Sequence, residues 1–175
     1  MPEDPAAAVE LLCLDVDGVL TDGTIRLDDR GRETKRFHVR DGTGLAIWQR
    51  LGFTAAIITA RQGMAVHHRA AELGILHVVQ NARDKAHAVR QLAEHLHFGL
   101  EQIAAVGDDL PDLRMLHAVG YPVAVADAVP EIKAAATFET VRPGGHGAVR
   151  EIVEHLLKAR DLWDDAVAHY QPPTD

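Results

Sequence analysis

Short apolar runs alternate regularly along this chain with longer segments of helical periodicity, and few folds accommodate such a pattern. Apolar runs of this length are typical of strands buried on both faces of a parallel sheet, and the segments between them are long enough to be crossover helices. The alternation therefore predicts an α/β fold, with a Rossmann-like three-layer arrangement around a parallel sheet. It places strands at residues 10–16, 53–59, 77–79, 103–106 and 121–125, and helices at residues 44–51, 62–73, 84–96 and 111–119.

Two segments depart from this alternation. Residues 24–39 hold two short stretches of alternating polarity around a Gly-containing turn, which predicts a β-hairpin directly after the first strand. Residues 147–170 have helical periodicity and predict a C-terminal helical tail. Because 175 residues suffice for one domain with a full core and are few for two, we expect residues 1–175 to form a single domain.

The composition bears on partners and compartment. The formal net charge is −8, and a surface of this sign repels the phosphates of nucleic acids and of anionic lipids. We therefore expect neither nucleic acid nor a membrane as a partner. The single Cys13 cannot form an internal disulfide, and the acidic N-terminal segment has no apolar stretch like that of a secretion signal. These observations predict a cytoplasmic protein.

The strongest chemical signal is the segment DVDGVLTDG at residues 15–23. Asp15 and Asp17 stand two positions apart where an apolar strand ends, so their carboxylates lie on the same side of an extended chain. Two carboxylates at a buried position call for a nearby cation, and Mg²⁺ prefers carboxylate and carbonyl oxygens. The alternative is a solvated turn, because Asp and Gly are common turn residues.

Other polar side chains follow the later predicted strands. Thr59 and Arg61 end the second strand, and Lys85 begins the helical segment before the fourth strand. Because the carboxyl ends of parallel strands meet at one edge of a sheet, we expect these groups to lie near Asp15 and Asp17. The fourth strand is followed by three more carboxylates, which belong to Asp108, Asp109 and Asp112.

This series of segments resembles the motifs of the haloacid dehalogenase superfamily. The matching segments are DVDGVLTDG (15–23), ITAR (58–61), Lys85 and GDDLPD (107–112). Three further segments resemble one family within it, the 3-deoxy-D-manno-octulosonate 8-phosphate phosphatases, and the likeness covers nearly the whole chain. They are FHVRDG (37–42), VAVADA (123–128) and GGHGAVRE (144–151).

The resemblance implies a role for each carboxylate of the first motif. Asp15 would be the nucleophile that forms a phospho-aspartate. Asp17 would protonate the leaving alkoxide and then activate the water that hydrolyses the intermediate. Mg²⁺ would be held by the Asp15 carboxylate, the Asp17 backbone carbonyl and Asp108.

The resemblance also implies how the phosphoryl group is held. Thr59 and Lys85 would bind its oxygens and stabilise the charge that develops there. Asp109 would support the metal ligands from behind, and Asp112 would help to hold the loop and Lys85.

The sugar part of the substrate needs further contacts. Arg40 and Arg61 are candidates for binding a sugar-acid carboxylate or hydroxyls, because a guanidinium suits planar anions. For both residues a surface ion pair remains the alternative. His146 is the candidate among eleven histidines because it lies in the Gly-rich segment 144–147.

The short distances between motifs leave no room for a cap domain. Relatives without a cap assemble as homotetramers, in which hairpins associate and a neighbour's C-terminal segment closes the site, so we expect a homotetramer here. The segment Gly144-Gly145-His146-Gly147 is flexible enough for such a lid.

The resemblance thus predicts an Mg²⁺-dependent sugar-acid phosphatase. Its reaction would be hydrolysis of 3-deoxy-D-manno-octulosonate 8-phosphate to the free sugar acid and phosphate, in lipopolysaccharide precursor synthesis. A related nonulosonate 9-phosphate is the alternative substrate. Two other classes are weighed against the enzyme: a phospho-accepting receiver domain in signalling, and a catalytically silent domain. A receiver would need its acceptor Asp after the third strand, where residues 77–80 end without a carboxylate.

Overall fold

The computed structural model describes residues 4–172; residues 1–3 and 173–175 lie outside this range. In chain order the strands are β1 (Leu11–Leu14), β2 (Arg26–Leu27), β3 (Glu33–Thr34), β4 (Thr54–Ile58), β5 (His77–Val79), β6 (Ile103–Gly107), β7 (Tyr121–Ala124) and β8 (Phe138–Glu139). Six of them form a parallel sheet in the order β5-β4-β1-β6-β7-β8, and β2 pairs with β3 as an antiparallel hairpin. The predicted parallel α/β sheet and the hairpin after the first strand are confirmed.

Seven α-helices lie within residues 4–172. They are α1 (Val39–Arg50), α2 (Met64–Glu72), α3 (Lys85–Leu96), α4 (Leu113–Leu116), α5 (Pro130–Ala135), α6 (Ala148–Lys158) and α7 (Trp163–Ala168). The helices pack in two groups, α1 with α6 and α7, and α3 with α4 and α5. Right-handed crossovers from a central strand place such groups on opposite faces of the sheet. No helix in this range is long and apolar enough to cross a lipid bilayer.

The sheet places β1 at the centre of the molecule. All four residues of β1 are buried, as are all five of β6. From β1 the chain builds outward first through β4 and β5 and then, on the other side, through β6, β7 and β8. The connections after β1 and β6 thus depart in opposite directions, which opens a crevice at the carboxyl ends of these strands.

Three parts of the fold differ from the sequence prediction. Helix α1 begins at Val39, five residues before the predicted start, because the side chain of His38 caps it by accepting the N–H of Arg40 at 3.3 Å. Glycines inside the helix allow close packing: a Cβ at Gly44 would lie 3.1 Å from Cα of Arg150. The predicted helix at 111–119 contains only the four-residue α4 after a single tighter turn. Helix α5 and strand β8 were not predicted, since segments this short carry little periodicity.

Candidate active site

The nucleophile candidate lies on a loop that only glycine permits. Asp15 directly follows β1, and the chain then makes the wide turn Val16–Leu20. Within this turn Gly18 has φ = +95°, and a Cβ there would lie 2.0 Å from Oδ2 of Asp108. A left-handed backbone and this close approach both exclude larger residues. Gly18 therefore allows the Asp108 side chain, which follows β6, to lie against the Asp15 loop.

A buried lysine joins two carboxylates at this edge of the sheet. Lys85, the first residue of α3, is 4% exposed, and its Nζ donates a hydrogen bond to Oδ1 of Asp15 at 2.7 Å and another to Oδ1 of Asp112. The second oxygen of Asp112 accepts the N–H of Asp108 at 3.1 Å. We call Asp15, Lys85 and Asp112 the strand-end cluster. The cluster joins Asp15, the nucleophile candidate, to the motifs that contain Lys85 and Asp112.

The charges in this region do not balance. Burial raises the pKa of Asp108 to about 7, and the nearby carboxylates of Asp112, Asp15 and Asp109 add to the effect. Burial raises the pKa of Asp15 to about 6; Asp112 adds to this and Lys85 opposes it. Although burial by itself lowers the pKa of Lys85, its two carboxylate partners raise it above the ordinary value. One ammonium thus faces an excess of carboxylates.

This excess and its geometry fit a divalent cation. One carboxylate oxygen from each of Asp15, Asp108 and Asp112 can be chosen so that all lie within 4.8 Å of one another. Both oxygens of Asp112 already accept hydrogen bonds, from Lys85 and from the Asp108 backbone, so Asp112 is better suited to holding the loop. Asp15 and Asp108 remain as side-chain ligands, and hard oxygen donors of this kind suit Mg²⁺.

A cavity of about 320 Å³ opens above these groups. Thr59, at the end of β4, is buried on its wall, and its Oγ1 accepts the N–H of Arg61 at 3.2 Å, which leaves the hydroxyl proton free to donate. The cavity brings together eight of the ten predicted site residues. Its lining consists of Asp15, Asp17, Gly23, Thr59, Ala60, Arg61, Lys85, Asp108, Asp109, Pro111 and Asp112.

The other two predicted residues lie elsewhere. Arg40 lines a separate cavity of about 260 Å³ together with Arg142 and Arg150. His146 Nδ1 is 2.7 Å from the carbonyl oxygen of Gly144. Among the described residues that line the Asp15 cavity, neither Arg40 nor His146 is found. Within one chain, therefore, the structure does not place them where a substrate in this cavity would lie.

The Gly-rich segment is packed against the nucleophile loop. The N–H of Gly145 donates to the carbonyl oxygen of Val19 at 2.9 Å, and the N–H of Gly144 donates to Oδ1 of Asp127 at 2.9 Å. A Cβ at Gly144 would lie 1.7 Å from the carbonyl oxygen of Gly18. In this chain these glycines thus permit close packing against the Asp15 loop, and the predicted lid over a neighbouring subunit's site stays a prediction.

A second set of charged groups, which we call the hairpin cluster, surrounds Asp17. The ammonium of Lys35 is ion-paired with Oδ1 of Asp17 and lies 3.3 Å from Oε1 of Glu33. Arg61 Nη2 is 2.7 Å from the same oxygen of Glu33, and its Nε is 3.7 Å from Oδ2 of Asp17. Burial by itself raises the pKa of Glu33, but Lys35 and then Arg61 lower it below the ordinary value. These ion pairs join the hairpin to the loops that carry Asp17 and Arg61.

Sequence reasoning missed Glu33 and Lys35. Side chains alternate along a strand with a period of two, and this signal could have placed residues 33 and 35 on one face of the hairpin. The alternation does not say whether that face meets the site or solvent, and this depends on how the hairpin docks.

Comparison with known proteins agrees with this geometry. A profile of the haloacid dehalogenase-like hydrolase family matches residues 58–152. The 3-deoxy-D-manno-octulosonate 8-phosphate phosphatase of Salmonella typhi is 44% identical over 161 residues, which cover 92% of this chain and 86% of that protein. The enzyme of the same name from Yersinia pestis is 42% identical over the same coverage.

Solved structures agree as well. The phosphatase of this name from Moraxella catarrhalis, in complex with magnesium, phosphate and KDO, superposes with a TM-score of 0.93 at 40% identity, covering 95% of this chain and 96% of that one. The cobalt-bound form of the Haemophilus influenzae phosphatase superposes with a TM-score of 0.91 at 33% identity, covering 96% and 100%.

Proposed function

Because this chain belongs to the haloacid dehalogenase-like hydrolases and, within them, to the 3-deoxy-D-manno-octulosonate 8-phosphate phosphatases, we propose that it hydrolyses 3-deoxy-D-manno-octulosonate 8-phosphate to the free sugar acid and phosphate. The observation that carries the proposal is the convergence of Asp15, Thr59, Lys85 and Asp108 on one cavity at the carboxyl edge of the sheet. Each of these residues follows a different strand of the sheet. Together they provide the groups that phosphoryl transfer to a carboxylate needs.

The first step transfers the phosphoryl group to the protein. A carboxylate oxygen of Asp15 attacks phosphorus, and Lys85, bonded to Oδ1 of Asp15, holds the carboxylate in place. As the bond between phosphorus and the leaving oxygen breaks, Asp17 gives its proton to that oxygen, and the sugar acid departs as an alcohol. Thr59 and Lys85 lie on the cavity wall, where they can donate to the phosphoryl oxygens.

The second step releases phosphate. Asp17 takes a proton from water, the water oxygen attacks phosphorus, and the bond to Asp15 breaks to regenerate the free carboxylate. Mg²⁺ held by the carboxylates of Asp15 and Asp108 and the backbone carbonyl of Asp17 would supply positive charge that offsets the repulsion between Asp15 and a phosphate dianion. Asp112 keeps Lys85 and Asp108 in place by accepting hydrogen bonds from the ammonium of Lys85 and the backbone N–H of Asp108.

The biological setting forms part of the proposal. The product, a free octulosonate sugar acid, is taken to be a precursor of lipopolysaccharide. A cytoplasmic location is supported by the single cysteine, Cys13, which is buried as a free thiol with a pKa raised by burial to about 12. Such a thiol is inert and suits a reducing compartment.

Assembly as a homotetramer is also part of the proposal. The hairpin exposes apolar side chains, with Ile25 55% and Leu27 63% exposed, and Leu110 is exposed beside the cavity mouth. Exposed apolar side chains of this kind are candidates for association with a second copy. The mass of the protein in solution, measured by light scattering, should be that of four chains; a stable monomer that is fully active would contradict this part of the proposal.

The proposal is tested by measuring phosphate release from a panel of phosphates, with Mg²⁺ and with a chelator. The panel contains 3-deoxy-D-manno-octulosonate 8-phosphate, a nonulosonate 9-phosphate and a hexose phosphate. We expect Mg²⁺-dependent release that strongly favours the octulosonate. A preference for the nonulosonate would keep the chemistry and change the substrate.

Asp15→Asn is the matched variant for this assay. The amide cannot act as the nucleophile, so turnover should fall by at least about four orders of magnitude, while the chain still folds. Full activity of Asp15→Asn would contradict the covalent mechanism. A lack of release from every substrate by the wild-type protein would favour the silent-domain alternative.

A further inference from the structure

We propose that Lys35 of the hairpin is a positioning residue for the proton transfers of Asp17, an inference that rests on the phosphatase function proposed above. Lys35 directly follows β3, and its side chain is only 3% exposed. Its ammonium is ion-paired with Oδ1 of Asp17, and Glu33 holds the same ammonium from the other side at 3.3 Å. A lysine is rarely enclosed in this way unless its charge is matched by partners.

Lys35 acts through Asp17 and not on the substrate. The cavity wall includes Asp17 and Arg61, whereas Lys35 and Glu33 are absent from the described residues that line it. The ammonium therefore reaches the carboxylate of Asp17 from outside the lining of the cavity. Any effect of Lys35 on the reaction passes through the orientation and charge of Asp17.

The two oxygens of Asp17 have different surroundings. Oδ1 is held by Lys35, whereas Oδ2 is buried and has no hydrogen-bond partner among the described residues. Nε of Arg61 lies 3.7 Å from Oδ2, beyond hydrogen-bond distance. Among the described residues, the ion pair of Oδ1 with Lys35 is thus the close polar contact that orients the Asp17 carboxylate.

A fixed orientation of Asp17 suits both proton transfers. In the first step the proton moves from the carboxyl group of Asp17 to the leaving alkoxide oxygen, as the bond from phosphorus to that oxygen breaks and the bond to Asp15 forms. In the second step a water proton moves to the Asp17 carboxylate, while the water oxygen bonds to phosphorus and the bond to Asp15 breaks. Lys35 holds Oδ1 of Asp17 and so limits rotation of the carboxylate between these transfers.

The hairpin register determines which cation reaches Asp17. Arg26 pairs with Thr34, which places Lys35 toward Asp17 and turns its neighbour Arg36 toward Asp22 at 2.9 Å. Because side chains alternate along a strand, a slip of one residue would exchange the two cations. The hairpin therefore contributes to the chemistry of its own chain in addition to any role in assembly.

The test compares two substrates that differ in their need for a proton donor. Lys35→Met should lower kcat/KM for 3-deoxy-D-manno-octulosonate 8-phosphate on the order of 10- to 100-fold, because its alkoxide needs a well-placed donor. For p-nitrophenyl phosphate, whose leaving group departs without protonation, the loss should stay below about threefold. Lys35→Arg, which keeps the cation, should restore most of the lost activity. Arg36→Met is the matched control, because Arg36 lies next to Lys35 in the hairpin but is 56% exposed, and it should affect neither substrate.

The outcomes separate this inference from the proposed function. Equal losses on both substrates would mean that Lys35 serves binding or folding, and would overturn the inference, as would no loss at all. If a thermal melt shows that Lys35→Met does not fold, Lys35→Gln replaces it in the comparison of the two substrates. Its side chain is neutral and still donates a hydrogen bond. A wild-type protein that is inactive on both substrates would instead overturn the proposed function itself.

Discussion

The strand-end cluster and the hairpin cluster contain the same kind of ion pairing but differ in how far their carboxylates are exposed to water. Each places a lysine between two carboxylates at the edge of the same cavity, Lys85 in the first and Lys35 in the second. The carboxylate partners of Lys85 are 7% and 2% exposed, whereas those of Lys35 are 21% and 17% exposed. The first cluster is enclosed by the sheet and α3. The second rests on β2 and β3, which have two residues each.

This difference bears on the roles proposed for the two clusters. Asp15 and Lys85, which we propose attack phosphorus and hold its charge, are fixed by the core, where small shifts are costly. Asp17, the proposed proton donor, is ion-paired with a hairpin of two short strands. We therefore expect substitutions in the hairpin to disturb the core less than substitutions in the strand-end cluster.

The largest expected effect is from breaking the strand-end cluster. Lys85→Met leaves the carboxylates of Asp15 and Asp112 buried without their shared ammonium, and removing one partner of a buried pair costs about 3–5 kcal/mol. Lys35→Met should cost less, because its carboxylate partners are more exposed to water than those of Lys85. Urea denaturation without metal measures both free energies of unfolding. Equal values for the two variants would contradict the comparison.

A smaller effect should appear as a dependence of stability on pH without metal. Because burial raises the pKa of Asp15 to about 6 and that of Asp108 to about 7, the folded chain holds protons that the unfolded chain releases above about pH 4. These two groups therefore reduce stability as the pH rises from about 4 to about 7. The strand-end region causes this loss, whereas the lowered pKa of Glu33 in the hairpin cluster acts in the opposite direction.

Thermal melts in a chelator measure this dependence. Between about pH 5 and about pH 8 the melting temperature of the wild-type protein should fall relative to that of Asp108→Asn by at least about 3 °C, roughly 1 kcal/mol for a chain of this length. Mg²⁺ should reverse the fall, because it binds only the folded chain and favours the ionised carboxylates. Parallel curves for the two proteins would show that Asp108 does not carry the effect.

The smallest expected effect comes from breaking the ion pair between Glu33 and Arg61 in the hairpin cluster. Glu33→Gln releases Arg61 from its ion pair at 2.7 Å, and a free guanidinium should bind a sugar-acid carboxylate better. We expect KM to fall about 2- to 5-fold, with stability unchanged within about 0.5 kcal/mol. Glu72→Gln, which removes a comparable exposed pair with Arg69, is the control and should leave KM unchanged. A rise in KM for Glu33→Gln would argue against Arg61 as a substrate ligand.

The sequence was informative where residues follow strands. Asp15, Thr59 and Asp108 were predicted to share a site because each ends a parallel strand, and such ends meet at one edge of a sheet. Lys35 could not be predicted in this way, since its contact with Asp17 depends on how the hairpin docks. Arg40 was a candidate by chemistry; within one chain it lies in the first turn of α1 and lines a different cavity, and its role in binding substrate stays a prediction.

Local periodicity and short-range spacing were enough to predict the order of strands and helices and the residues at the strand ends. The pairing of charges, the ion pair that holds Oδ1 of Asp17, and the packing of the Gly-rich segment against the Asp15 loop became visible only in the folded chain. These features depend on contacts between segments far apart in the chain, such as Asp15 with Lys85 and Gly145 with Val19, and on distances that no local pattern specifies.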